Sequence, residues 1–240
     1  MCLIAFFDLS RYNYLMSNIR KAIFFAIILT CFTMGSFGDI FYSFSLGLNR
    51  LTEQYLDDDY GKELNGVGFV MSLNYYPENF PLGWFIRTSL GSMNMGYEWK
   101  DNEIDSIEFD SSLDLSLSMG PSFVIKLGSI IYIPISIGPV ISSYREESAG
   151  YYNENIIGFY DAINIGALLD LGITINPARR FIITNSIIAS YDFLRWERGN
   201  MSTSYRSINS GNFKYENYSA FNIGFYFGLG IRFGGSRNIS

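Results

Sequence analysis

From Ile40 to Phe233, large apolar side chains occupy every second position in eight separate stretches. A period of two places them on one side of a β-strand, because successive side chains point to opposite faces. The last stretch is the clearest: Phe221, Ile223, Phe225, Phe227, Leu229, Ile231 and Phe233 alternate with Asn222, Gly224, Tyr226, Gly228, Gly230 and Arg232. Between Asp161 and Thr174, Ile163, Ile165, Ala167, Leu169, Leu171 and Ile173 alternate with Ala162, Asn164, Gly166, Leu168, Asp170 and Gly172. The first strand sets Tyr42, Phe44, Leu46 and Leu48 against Ser43, Ser45, Gly47 and Asn49. In the second, Val67, Phe69, Met71, Leu73 and Tyr75 oppose Gly68, Val70, Ser72 and Asn74, and in the third Trp84, Ile86, Thr88 and Leu90 oppose Phe85, Arg87, Ser89 and Gly91. The fourth pairs Leu113, Leu115, Leu117 and Met119 with Asp114, Ser116, Ser118 and Gly120. The fifth pairs Ile131, Ile133, Ile135 and Ile137 with Tyr132, Pro134, Ser136 and Gly138. Phe181 to Phe193 is the least regular stretch, with Ile182, Ile183, Ile187 and Ile188 on both faces and Asn185 at mid-membrane depth, so a bulge is expected there.

Connections alternate in length. Short turns fall at Pro77 to Pro81, Lys126 to Ser129 and Asn176 to Arg180, and long polar loops at Arg50 to Asn65, Gly96 to Ser112, Ser143 to Ile156 and Leu194 to Asn217. The pattern predicts an all-β fold: a transmembrane, antiparallel, up-and-down β-barrel of eight strands with long loops at one end and short turns at the other. Closure leaves no strand edge open to lipid.

A soluble barrel whose apolar face lines a ligand cavity is the competing arrangement. Its exterior would need many Lys and Glu, whereas the second face here is Gly, Ser, Asn and a few charges. The large side chains are therefore assigned to the outside. Composition agrees: 17% of residues are charged and 18% aromatic, against about 25% charged in ordinary soluble domains. Tyr75, Trp84, Phe123, Phe181 and Phe233 near the turn ends, and Tyr191, Phe193 and Trp196 near a loop end, are placed as interfacial aromatic girdles are.

Residues 1–38 read as a leader. Arg20 and Lys21 precede an apolar run from Ala22 to Phe32, and Ser36 and Gly38 form a small-x-small cleavage site that makes Asp39 the first mature residue. Met16 is a plausible start, giving a signal peptide over 16–38, a barrel over 39–233 and a short C-terminal extension over 234–240. Both cysteines, Cys2 and Cys31, lie upstream of the cut. Acylation at Cys31 is the alternative processing route, with Thr30 an unusual residue before a lipidated cysteine. Residues 39–240 hold 22 acidic and 14 basic side chains, a net charge of −8, which disfavours nucleic acid as a partner.

The whole of Asp39 to Phe233 resembles the small outer-membrane β-barrel proteins, the group that includes OmpA-type, OmpX-type and OmpW-like barrels. The most specific element is the final strand, where Tyr226, Gly228, Ile231 and Phe233 fit that group's C-terminal assembly signal. The resemblance implies an outer-membrane location in a Gram-negative-type, diderm bacterium, and partners that include outer-membrane lipids and the barrel-assembly machinery. Seven residues, Gly234 to Ser240, follow the aromatic that normally ends such chains. Gly228 and Gly230 also serve simply to relieve crowding inside the barrel.

Within the lumen, Arg87 and Arg232 accompany Asp114, Asp170 and Asp192, and Arg–carboxylate pairs are expected there because unpaired charges in a narrow interior are costly. Such pairs form either a permanent internal network or a plug whose rearrangement opens a conduit. Acidic runs at Asp57 to Asp59 and from Glu98 to Asp110 supply oxygen ligands, but their spacing matches no calcium-loop motif, and a solvated loop is the simpler reading. In the fourth loop, Trp196, Arg198, Tyr205 and Arg206 are candidates for contact with an extracellular ligand. The chain contains no His, which removes the commonest general base and a common metal ligand. The resulting expectation is a non-enzymatic barrel without cofactor or metal, acting through acidic surface loops in surface interaction or envelope integrity. The alternative is a narrow porin or OmpW-like channel for small or apolar solutes.

Overall fold

The computed structural model describes residues 38–55, 60–77, 80–100, 103–108, 111–149, 157–178, 180–200 and 210–234. Ten strands run in chain order: β1 (Gly38–Tyr55), β2 (Tyr60–Pro77), β3 (Leu82–Lys100), β4 (Glu103–Glu108), β5 (Ser111–Leu127), β6 (Ile131–Ala149), β7 (Ile157–Ile175), β8 (Phe181–Gly199), β9 (Ser210–Glu216) and β10 (Tyr218–Phe233). Eight of them close into a barrel in the order β1-β2-β3-β5-β6-β7-β8-β10, with β10 returning to β1. The closing seam is antiparallel and unbroken from Ile40 opposite Phe233 to Tyr55 opposite Tyr218. β4 adds to the upper part of β3, and β9 to the upper part of β8. Residues 1–37, with Met16, Cys2 and Cys31, and residues 235–240 lie outside the described chain.

Every strand inferred from the two-residue period is present, with the faces as read. Ser43, Ser45, Asn49, Ser72, Arg87, Ser118, Ser136, Asn164 and Asp170 are buried inside, whereas Leu46, Leu48, Ile137, Ile141, Phe225 and Phe227 are exposed outside. Continuous apolar surface of this extent is the signature of a face that meets lipid rather than water. On β8 the outward band runs from Phe181 to Phe193, about 30 Å of height at ~3.3 Å per residue and a ~40° tilt. Tyr75 and Trp84 pair across β2 and β3 near the turn end with ring centroids 6.3 Å apart, and Tyr191 and Phe193 stand outward at the other limit.

Two expectations need correction. The segments read as long loops are largely strand: β1 continues to Tyr55, β3 to Lys100, β6 to Ala149 and β8 to Gly199. Outward Arg50 marks the end of the apolar band on β1, and five further residues continue past it, roughly 16 Å of strand at ~3.3 Å per residue. In this extension the outward Thr52 and Gln54 are polar while buried Leu51 stands beside buried Glu53, so no apolar outer face announces a strand. Second, the irregular stretch in β8 contains no bulge near Asn185. Pairing with β10 is continuous from Phe181 to Asp192, and Asn185 faces outward between Ile173 and Phe227. The register shift comes later, where Ile165 faces Leu194 and Gly166 faces Asp192, leaving Phe193 as the extra residue. That insertion exchanges the faces of everything after it and turns Arg195 and Glu197 inward.

At the turn end, β5 passes to β6 through Gly128, whose φ of +69° is the left-handed conformation that glycine adopts without a Cβ penalty.

Candidate functional site

An eight-stranded barrel has an interior just wide enough for side chains, and here the chemistry of the molecule is concentrated in it. The inward residues form a series of tiers. At the turn end, Arg232 donates from Nε and Nη2 to Asp39 Oδ1 at 2.9 and 2.8 Å, and with the Asn176 amide correctly oriented its Nη1 donates to Asn176 at 2.8 Å. The guanidinium lies over the rings of Tyr132 and Phe41. Phe41, Tyr76, Val124, Tyr132 and Ile182 form an apolar cluster across the same end, and the Tyr76 hydroxyl is bonded to Ser122 at 2.9 Å.

Further along the barrel, Arg87 donates to Ser72 at 3.0 Å and to Asp170 at 2.5 Å. β3 and β7 lie on different parts of the wall, so this pair spans the lumen. Both side chains are almost completely buried. Phe85, Val140 and Leu168 pack beside them, with Ile188 against the group.

The third tier stands at the loop end, in the strand extensions. Glu53 on β1 accepts from Arg195 Nη1 at 2.8 Å and from the Tyr218 hydroxyl at 2.7 Å, and lies 3.0 Å from Lys62 Nζ on β2. Arg195 Nε lies 3.3 Å from Glu197, which also accepts from the Tyr160 hydroxyl at 2.8 Å. Lys62 sits over Tyr144 and Tyr160, and Arg195 over Tyr218, its guanidinium carbon 4.1 Å from the ring centroid. Arg195 is wholly buried and Glu53 nearly so. Beside the carboxylates, these aromatic faces attract the buried cations as well.

Between the second and third tiers lies a cavity of about 40 Å³, bounded by Glu53 above and Arg87 below, with Asp114, Asn164 and Asp192 in its wall. Tyr226 lies beside it, against the wall formed by β10, β1 and β2. Its ring lies on three glycines: a Cβ placed at Gly47, Gly68 or Gly224 would meet Tyr226 atoms at 2.6, 3.0 and 2.5 Å. Glycine at these positions makes room for the ring.

The residues singled out from the sequence are distributed as follows. Arg87 and Asp170 are ion-paired. Arg232 is paired with Asp39 and with none of the three aspartates expected to share the lumen with it, because it stands at the turn end while Asp114 and Asp192 lie toward the loop end. Among the described residues, neither Asp114 nor Asp192 has a cationic partner. In the terminal strand, Tyr226 and Gly228 face the lumen and Ile231 and Phe233 the outside. A Cβ at Gly228 would collide with Ser45 and with the Phe44 carbonyl, so its small size is required by packing alone. Trp196 and Arg198 belong to β8 and not to a loop: Trp196 makes an edge contact with Tyr215 on β9, and Arg198 pairs with Asp161 at 3.0 Å beneath Phe213. Tyr205, Arg206 and Asp57 to Asp59 lie outside the described residues, as do the side chains from Glu98 to Asp110.

Sequence reasoning missed Glu53, Lys62, Arg195 and Glu197, of which Glu53 and Arg195 are the most heavily buried charged residues among those described. They lie in segments taken for loops, and the bulge at Phe193 hides the inward direction of two of them. The available signal was the tandem of aromatic and charged residues on either side of that point, Tyr191-Asp192-Phe193 and Arg195-Trp196-Glu197.

No family model matches the chain, and no curated protein matches it. Among solved structures it is similar to Ail, the attachment invasion locus protein of Yersinia pestis, at 15% identity over 82% of this chain and 99% of that one, with a TM-score of 0.40. It is also similar to Neisserial surface protein A, at 9% identity over 80% and 97% of the two chains and a TM-score of 0.45. A third similar structure is the outer membrane protease OmpT from Escherichia coli, at 10% identity over 83% and 98%, with a TM-score of 0.45.

Proposed function

We propose that the chain is a non-enzymatic outer-membrane barrel of a diderm bacterium, closed to ions, that acts at the cell surface through the strand extensions and loops standing above its apolar band. The observation that carries this reading is the Glu53–Lys62–Arg195–Glu197 tier, which fills the lumen where a conduit would have to open. Charges held this way are committed to one another. None is free to act as an acid or base on a substrate, and the chain has no His to take that part. The leader and the outward apolar band support the membrane address. The terminal strand is read by the assembly machinery, outer-membrane lipids surround the band, and an extracellular ligand meets the rim, where outward Arg50, Arg145 and Arg198 pair with Glu63 and Asp161.

Purified protein reconstituted in planar bilayers tests this. A closed surface barrel gives no steady conductance while still showing a heat-dependent shift on SDS gels. Discrete conductance steps would support a narrow channel instead.

A further inference from the structure

We propose that the luminal cavity between the Arg87–Asp170 pair and the Glu53–Arg195 tier binds one partly hydrated divalent cation of the Ca²⁺ class. The argument begins with charge. Among the described residues that face the lumen, Lys62, Arg87, Arg195 and Arg232 meet Asp39, Glu53, Asp170 and Glu197 in the three tiers already described. Glu63, at the rim, is matched by outward Arg50. Asp114 and Asp192 remain, both in the wall of this one cavity, two carboxyl groups at a single place with no cationic partner among the described residues.

Hydrogen bonding gives an independent indication. Asn164 is 4% exposed and its amide nitrogen donates to Ser142 at 3.2 Å and also bonds the Asp192 carboxyl, but its carbonyl oxygen, in the same cavity wall, has no partner. Asp192 is 7% exposed, and its Oδ1 has none either. Buried acceptors without donors cost free energy. A cation satisfies carbonyl and carboxylate oxygens together and cancels the charge, whereas a neutral ligand would leave the charge in place. Arg87 also borders the cavity, but its charge is balanced by Asp170.

Size and ligand type select the ion. Space of about 40 Å³ holds an ion and two or so waters at ~10–15 Å³ of such volume each. Oxygen donors alone point to a hard cation, and an irregular set of two carboxylates, one amide carbonyl and water suits Ca²⁺, which tolerates varied geometry, better than Mg²⁺, which demands a near-ideal octahedron. A monovalent ion would leave one charge uncompensated. No three acidic, His or Cys side chains among the described residues converge at direct ligand spacing, so water completes the shell.

The test uses the full chain refolded in detergent with ⁴⁵Ca²⁺, followed by excess chelator and gel filtration. About one equivalent per barrel is expected to survive, because the tiers above and below slow release, and Mg²⁺ is expected not to displace it. An Asp114→Asn/Asp192→Asn double variant that keeps its heat-dependent gel shift should retain less than about a tenth as much, while an Asp57→Asn/Asp58→Asn/Asp59→Asn variant should retain it all. Absence of retained Ca²⁺ in the folded native barrel overturns the proposal, as does equal retention in the luminal double variant. If that variant fails to fold, the native barrel decides alone: refolding in Ca²⁺ must raise its unfolding temperature above that in chelator, and identical temperatures overturn the proposal.

Discussion

Arg195 and Glu53, 142 residues apart in the chain, meet inside the barrel at 2.8 Å with almost no exposure of either side chain. The contact ties β8 to β1 across β10, which lies between them in the barrel wall. Removing one partner from such a pair leaves an uncompensated buried charge. Glu53→Ala is therefore expected to destabilise the barrel by about 3–5 kcal/mol, measured as the shift in urea unfolding from lipid vesicles. Replacing Glu53 and Arg195 together with Leu and Met should cost less than Glu53→Ala alone, since the tier then keeps one cation, Lys62, and one carboxylate, Glu197, with no net excess of charge.

Tyr226 rests on Gly47, Gly68 and Gly224, and no smaller side chain would fill that space. Tyr226→Ala should cost about 3–5 kcal/mol in the same assay, the range for an aromatic ring lost from a packed interior. Tyr226→Phe keeps the ring and should cost much less. Gly47→Ala should be severely destabilising as well, because its Cβ would collide with the Phe225 carbonyl and with the ring at 2.6 Å.

Asn185 is the one amide side chain in the outward apolar band among the described residues, flanked across the sheet by Ile173 and Phe227. In hydrocarbon its hydrogen-bonding groups go unmet. Asn185→Leu is expected to stabilise the barrel by about 1–3 kcal/mol, read as a higher temperature for the gel shift. A loss of stability would mean that this face meets something other than lipid.

The membrane-embedded part of the barrel was legible in the sequence because lipid outside and crowding inside impose opposite demands on alternate residues. Leu46 and Gly47, or Phe227 and Gly228, show this residue by residue. Beyond Arg50 the outside meets water and the demand disappears, so Thr52 and Gln54 look no different in kind from Glu53. The candidate site was legible to the same depth. Arg87 and Asp170 lie within the alternating region and could be read as luminal, whereas Lys62 and Arg195 lie above it. Partner choice was beyond reach from sequence, since which carboxylate meets Arg232 depends on depth along tilted strands and not on which face a residue occupies.

The central claim is that the large side chains of each strand face lipid and the small and charged ones fill the lumen. A carbene precursor dissolved in the bilayer, activated by light around the native barrel and mapped by mass spectrometry, tests it directly. Label is predicted on Leu117, Ile165 and Leu229, with Ser116, Gly166 and Gly228 left unmodified. Modification of the second set in preference to the first would contradict the account.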